Sequence, residues 1–327
     1  MDIFERMAFV ADRRYQSCHA STITELPSGD LLAAWYAGAY EKAKDVAILC
    51  SRLLKSSSEW TEAEVLAKDP DRSEGNPVLF VDPKGILWLF YVTMYGGGWD
   101  ECKIKRKKSL DNGRTWGETQ ILHGELGWMT RNKPIIAKSG SIVLPIYDEA
   151  GLNSMMMISK DGGDTWQVSG RILSDPGNLQ PAVVELKDGK LLAYLRTWAK
   201  EGGCIWRSVP EDGGYTWSRA LATKLPNPNS AADMILSRSG NIILAFNDAP
   251  RGRTPLSMAL SPDEGVTWPF RRVLEGGTGE FSYPAIIQSE DGLLHITYTY
   301  KREAIKHVVV SEEWIMGVGE WEKYRSS

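Results

Sequence analysis

The pattern Ser-x-Asp-x-Gly-x-Thr-Trp occurs at Ser109–Trp116, Ser159–Trp166 and Ser261–Trp268, and a fourth copy, Asp212-Gly-Gly-Tyr-Thr-Trp217, has Pro210 in the Ser position. The Asp residues 111, 161, 212 and 263 are 50, 51 and 51 residues apart. A fixed period of about fifty residues marks a repeat architecture, and periods of this length point to propeller blades. Each copy reads as a tight turn. The Asp side chain accepts from backbone N–H groups two and three residues on, the Gly supplies a positive φ, and the Trp offers an apolar plate to wedge between units.

A second repeat runs out of phase with the first. Thr24–Trp35, Pro77–Tyr91, Pro134–Tyr147, Pro181–Arg196, Asp233–Asn247 and Pro284–Thr299 each read as strand, Gly-bearing turn, strand, with turn glycines at 29, 85, 140, 189, 240 and 292. Ser-Gly, Lys-Gly and Asp-Gly between β-rich runs are hairpin signals. Trp60, Trp116, Trp166, Trp217, Trp268 and Trp321 close the same six units. Six hairpins and six Trp predict an all-β, six-bladed β-propeller with four-stranded antiparallel blades. The whole of 1–327 is read as one domain, with 1–14 and 322–327 meeting to close the ring.

A net charge of −4 directs no expectation toward nucleic acid or an anionic membrane. The lone basic run, Lys103–Lys108, reads as an outer strand and its solvated turn. Cys18, Cys50, Cys102 and Cys204 lack paired spacing and are expected as free thiols. Neither a metal nor a cofactor is expected. The start, Met1-Asp-Ile-Phe-Glu-Arg6, has no apolar signal-peptide core, so a cytoplasmic location is the expectation.

The first strand of each blade should line a shared channel. Nine or ten residues before the turn glycines stand His19, Asn76, Arg131, Gln180, Ala231 and Tyr283, mostly polar where packing alone would select Val or Ile. Two positions on come Lys133 and Asp233, and seven residues after the glycines come Tyr36, Tyr147 and Arg196. Glu41, Asp45, Asp148, Glu149 and Asp248 lie near the same mouth, with Arg251, Arg253 and Arg302 as further cations. Clustered Arg forks suit a small carboxylate, and acids near aromatics suit glycoside chemistry.

The repeated Asp pattern resembles the Asp-box, or BNR repeat, of the sialidase superfamily, and the likeness covers essentially the whole chain. It implies that the boxes lie away from the active site. It also implies a Tyr nucleophile, a Glu that activates it, an acid that protonates the leaving group, and Arg residues that grip a sugar carboxylate. Phe281-Ser-Tyr-Pro-Ala-Ile286 is similar to the segment around the family's Tyr and makes Tyr283 the nucleophile. Val183-Val-Glu-Leu-Lys-Asp-Gly189 leads to Arg196 as one family Arg, and the eight-residue offset before Ser261 gives Arg253 as another.

The chain departs from the family at two places. His19 stands where the family's first Arg belongs, and Ile296-Thr-Tyr-Thr299 lacks the Glu that holds that Arg. Gln180 stands in place of the activating Glu, and His19 is a substitute for it. Glu41 or Asp45 takes the acid's place. The resemblance thus implies an exo-glycoside hydrolase releasing a terminal acidic sugar from a glycan. Tyr283, Glu41, Asp45, His19 and Gln180 form its reaction centre. Arg196, Arg253, Arg131, Lys133, Asn76, Asp233 and Arg302 are its substrate contacts. A uronate-glycan lyase using His19 and Tyr283, and a non-catalytic glycan-binding propeller, are the alternatives.

Overall fold

The computed structural model describes residues 3–317. They form six antiparallel sheets in chain order around a common centre, as the two repeats predict. Blade one contains Ser17–Glu25, Leu31–Gly38, Ala47–Leu53 and Glu64–Ala67. Blade two contains Glu74–Val81, Leu87–Met94, Cys102–Ser109 and Gln120–His123. The inner strand of blade three is interrupted, with Trp128–Thr130 and Ile135–Ile136 both pairing Ile142–Asp148, before Asn153–Ser159 and Gln167–Val168. Pro134 falls in the gap, where it cannot donate to a ladder.

Blade four contains Asn178–Glu185, Leu191–Thr197, Cys204–Ser208 and Leu221–Pro226. Blade five contains Asp233–Leu236, Ile242–Asn247, Leu256–Ser261 and Phe270–Glu275. Blade six contains Phe281–Gln288, Leu294–Tyr300 and Ala304–Val310, and its outermost strand is Phe4–Val10 from the other end of the chain. That pairing closes the ring. Trp321 and the 322–327 segment lie outside the described residues. Among those described, helix is confined to a 3₁₀ turn at Trp99–Glu101 and to Glu312–Met316.

The Asp-boxes follow the third strands of blades two to five. Asp111 Oδ1 accepts from the N–H groups of Arg114 (3.1 Å) and Thr115 (2.8 Å), and Oδ2 accepts from the Thr115 hydroxyl (2.6 Å). The acceptance therefore spans three and four residues, one more than a simple Asx turn. The Ser109 hydroxyl in turn accepts from Gly113 N–H (2.8 Å). Thr165, Thr216 and Thr267 bind Asp161, Asp212 and Asp263 in the same way.

The boxes also join neighbouring blades. Carbonyls of their turns accept from the preceding blade: Arg52 donates to that of Asn112, Arg106 to that of Gly163, and Tyr194 to that of Gly265. The box Trp rings wedge alongside: Trp166 meets Phe90 edge-on at 6.0 Å, and Trp268 meets Tyr194 at 5.8 Å. At the seam Arg6 reaches Ser58 of blade one, whose box is lost, and His307 meets Trp60 edge-on at 5.3 Å. The basic run Lys103–Lys108 is a third strand and not an outer one. Three of its cations face protein partners, Lys105 at Asp69 (3.6 Å), Arg106 at Gly163 and Lys107 at Leu66 of blade one. The four cysteines are unpaired.

Candidate functional site

The inner strands of blades one, two, four and six each break register once, at His19/Thr22, Gly75/Val78, Leu179/Ala182 and Ser282/Ala285. Inside each bulge one non-Gly residue adopts a left-handed backbone: Ala20 (φ 56°), Asn76 (φ 44°), Gln180 (φ 53°) and Tyr283 (φ 55°). Bulges bend a strand and re-aim a side chain. A positive φ at an aromatic residue such as Tyr283 is strained, and such strain gathers at functional sites. The position equivalent to Tyr283 in blade one is therefore Ala20, and His19 is one residue out of that register.

The re-aimed side chains converge. The Tyr283 hydroxyl accepts from Arg196 Nη1 (2.7 Å) and Gln180 Nε2 (3.3 Å). Gln180 Oε1 accepts from Arg196 Nη1 (2.9 Å), and Gln180 Nε2 also reaches the Tyr147 hydroxyl (3.3 Å), which accepts from Asn76 Nδ2 (3.0 Å). Three guanidiniums lie over the Tyr283 ring, Arg253 at 5.1 Å, Arg131 at 5.2 Å and Arg196 at 5.8 Å from its centroid. Burial by itself would raise the Tyr283 pKa. The positive charges of Arg196 and Arg253 outweigh it and bring the phenol below its usual value.

His19 packs its ring 4.1 Å from that of Tyr283, so closure of the ring does make them neighbours. It is 2% exposed, and its Nδ1 has no hydrogen-bond partner. Burial, then the charges of Arg302, Arg253, Arg131 and Arg196, push its proton affinity well below the ordinary imidazole range. His19 is thus a neutral ring in a positive field.

Arg131 is 2% exposed and faces the floor of the channel. Its Nη2 donates to the carbonyls of Tyr283 (2.7 Å) and Pro284 (3.0 Å), and its Nη1 to that of Ser21 (3.2 Å). These are backbone groups freed by the bulges. Lys133 donates to Asp233 (2.7 Å), whose Oδ2 also accepts from Ile286 N–H (2.9 Å), so this pair ties blades three, five and six together.

Arg253 and Arg302 reach higher, with side chains 22% and 28% exposed. Asn229 Oδ1 accepts from Arg196 Nε (2.7 Å) and its carbonyl from Arg253 Nη2 (3.4 Å). Glu280 Oε1 accepts from Arg253 Nη1 (2.8 Å) and its Oε2 from Arg302 Nε (3.2 Å). Arg302 Nη1 also donates to Glu41, whose other oxygen accepts from Trp99 Nε1 (3.0 Å). The two candidate acids thereby separate. Asp45 is exposed and caps its own loop by accepting from Ala39 N–H (2.9 Å). Glu41 alone of the two touches the cationic arc.

Glu149 also stands at the mouth. Burial raises its pKa, against the charges of Arg196 and Lys42. Asp148, Asp248 and Arg251 turn outward to Arg171 (2.6 Å), Arg271 (3.5 Å) and Glu201 (2.7 Å). Sequence reasoning did not single out Glu280, Asn229 or Trp99. Glu280 had one visible signal, an acid three residues before Tyr283 at the end of Gly276-Gly-Thr-Gly279. Among the described residues no group of three or more His, Cys, Asp or Glu is arranged to hold a metal ion.

A closed ring of antiparallel blades, Asp-boxes on the third-to-fourth strand turns, and a Tyr set among arginines at the centre define a sialidase-like propeller. The chain belongs to the BNR repeat-like domain family, which it matches over residues 29–296. It is 25% identical over 354 residues to a sialidase of Micromonospora viridifaciens, covering 90% of this chain and 52% of that one. It is 26% identical over 259 residues to a sialidase of Bacteroides fragilis, covering 68% and 47%. The chain thus spans about half the length of these relatives. In three dimensions it is similar to the Hadza microbial sialidase Hz136, with a TM-score of 0.82 at 19% identity over 95% of this chain and 69% of that one. At that identity the likeness is one of fold.

Proposed function

We propose that this protein is an exo-glycoside hydrolase that releases a terminal carboxylated sugar, sialic acid or a related acid, from glycans. The observation that carries the reading is the position of the Tyr283 hydroxyl, 2.7 Å from Arg196 and beneath a second guanidinium, Arg253. A phenol is a weak nucleophile at its ordinary pKa of about 10. Here two arginines take the part of the base that Gln180 cannot play, by making the phenolate less costly to form. His19, neutral and poorly basic, serves as packing against the Tyr283 ring.

In this mechanism Arg196, Arg253 and Arg302 bind the sugar carboxylate, Tyr283 gives its phenolic proton to solvent, and the phenolate Oη so formed attacks the anomeric carbon. The bond to the aglycone oxygen breaks, and that oxygen takes a proton from Glu41. Water then displaces Tyr283, and Glu41 receives the water's proton. Arg131, Lys133 and Asp233 hold the floor, Gln180 orients the phenol directly, and Asn76 supports Gln180 through Tyr147. Turnover of aryl glycosides of sialic, uronic and neutral sugars, by wild type and Tyr283→Phe, tests the reading. Release of the acidic sugar only, lost in Tyr283→Phe, supports it, and an active Tyr283→Phe sinks it.

One observation favours a second reading. Gln180 leaves the site without a base beside Tyr283, and Glu41 is held by Arg302 and Trp99. A glycan-binding propeller would need neither group free. It is told apart by tight binding of the acidic sugar without turnover.

A further inference from the structure

Six residues form one continuous hydrogen-bonded arc over Tyr283, in the order Arg196, Asn229, Arg253, Glu280, Arg302, Glu41, with Asn229 reaching Arg253 through its backbone carbonyl. The two links between guanidiniums differ. Asn229 is a neutral spacer between Arg196 and Arg253. Glu280 is a charged one that gives a separate oxygen to each of Arg253 and Arg302. Elsewhere at the mouth, Asp45 accepts from Ala39 N–H, Asp148 from Gly151 N–H and Arg171, and Glu41 from one guanidinium, Arg302, and the Trp99 indole. Among the described contacts the Glu280 carboxylate accepts from side chains alone: Arg253, Arg302 and the hydroxyl of Ser282 (2.6 Å), the residue next to Tyr283.

Arg302 is delivered by an unusual turn. Lys301 (φ 54°) and Arg302 (φ 60°) are both left-handed, a conformation that favours Gly. Neighbouring backbone holds this turn: Cys18 N–H donates to the Arg302 carbonyl (2.9 Å) and Lys301 N–H to the Glu280 carbonyl (2.7 Å). The turn is thereby tied to the residue before His19 and to the strand that carries Tyr283.

We propose that Glu280 is a positioning residue that joins Arg253 and Arg302 into a single two-guanidinium clamp for the substrate's carboxylate, set in register with Tyr283 through Ser282. Two guanidiniums on one anion site repel each other and splay when the site is empty. An anion between them holds both forks aimed at the mouth. Burial would favour the neutral form of Glu280, but Arg253 first, then Ser282 and Arg302, keep it ionised. The clamp rests on the reading of the site as one for a carboxylated sugar. It adds that specificity for the carboxylate depends on a residue that never touches it.

Glu280→Gln keeps shape but lets only one oxygen accept, and Glu280→Asp is too short to span both arginines. In each, KM for an aryl glycoside of the acidic sugar should rise about tenfold, the worth of one charge-assisted hydrogen bond. Its kcat and the melting temperature should hold. Arg302→Lys should raise KM to a similar extent, and in Glu280→Gln/Arg302→Lys the KM should be no worse than about twofold beyond the poorer single variant, because both break one unit. Calorimetric binding of free N-acetylneuraminate or galacturonate to wild type and the same variants gives a readout that does not need turnover.

An unchanged or lowered KM in Glu280→Gln, or losses that multiply in the double variant, overturns the clamp. So does failure of wild type to bind either sugar acid. A fall in kcat and melting temperature at constant KM assigns Glu280 a purely structural role. An active Tyr283→Phe combined with weakened binding in Glu280→Gln would remove the proposed mechanism and leave the clamp in place.

Discussion

The Tyr283 hydroxyl is bonded to Arg196 Nη1 at 2.7 Å, across 87 residues of sequence, and the same Nη1 is bonded to Gln180 Oε1 at 2.9 Å. A phenol in this position shares its donors with an amide that cannot take its proton. In the proposed mechanism the acidity of Tyr283 has to come from charge.

The pH dependence of kcat/KM follows from that. Burial raises the Tyr283 pKa and Arg196 and Arg253 lower it, with a net fall. Removing the Arg253 charge in Arg253→Met should move the phenol back up and shift the rising limb of kcat/KM to higher pH. The measurement is the profile on an activated aryl glycoside, at saturating and at low substrate. A limb that stays in place would assign the acidity of Tyr283 to other groups.

Glu41 and Asp45 should separate by leaving group. Glu41→Gln should slow poor leaving groups far more than good ones, which need little protonation. Asp45→Asn should affect both equally and modestly, through the loop that its carboxylate caps. Rates across a series of aryl leaving groups of increasing pKa provide the check.

Arg131 and Arg253 are both arginines over the Tyr283 ring, yet they should fail differently. Arg131→Ala leaves three buried carbonyls without their donor and should cost about 3 kcal/mol or more in unfolding free energy. Arg253→Ala sits in the half-open mouth and should spare stability while losing affinity for acidic sugars. Urea denaturation of the two variants beside wild type makes the comparison.

Asp161→Ala should lower the melting temperature and leave kcat/KM intact, because its box lies on the turn between the third and fourth strands of blade three, against blade two. The Thr165 hydroxyl and N–H, then Ser159, hold the Asp161 carboxyl well below the usual range. A depressed folded pKa contributes stability above the unfolded value of about 3.9 that is lost as pH falls. The acid limb of the melting curve should therefore be shallower in Asp161→Asn than in wild type.

The seam between blades six and one should weaken in mild acid. Burial lowers the His295 pKa to about 4 and also holds that of His307 well below the ordinary imidazole range, and the two rings stack with Nδ1 of His295 3.0 Å from Nε2 of His307. The unfolded chain takes up protons near pH 6.5 and the folded one does not until about pH 4, so stability falls as pH drops through that window. The loss is on the order of 2–3 kcal/mol for His295. Melting temperatures of wild type and His295→Asn between about pH 7 and 4 test this, with the variant expected to be flatter.

The fold was legible because its signals are local. An Asp-box closes within eight residues and a hairpin within about fifteen, so period, turn Gly and wedge Trp appear in the chain whatever surrounds them. The count of six, the four-stranded blades and the placing of Tyr283, Gln180 and Arg196 at one centre follow from overlaying these units. The directions of the side chains were not legible. A bulge in four inner strands reverses the strict alternation of a strand. This put Ala20, and not His19, in register with Tyr283, and Arg131 was turned toward backbone carbonyls in an interrupted strand. Glu280 could be recognised only once Arg253 and Arg302 lay on either side of it, and Glu41 meets Arg302 across 261 residues. Period is a property of the chain alone. Which charges share a low-dielectric site is decided only when the ring closes, because the partners of each come from other blades.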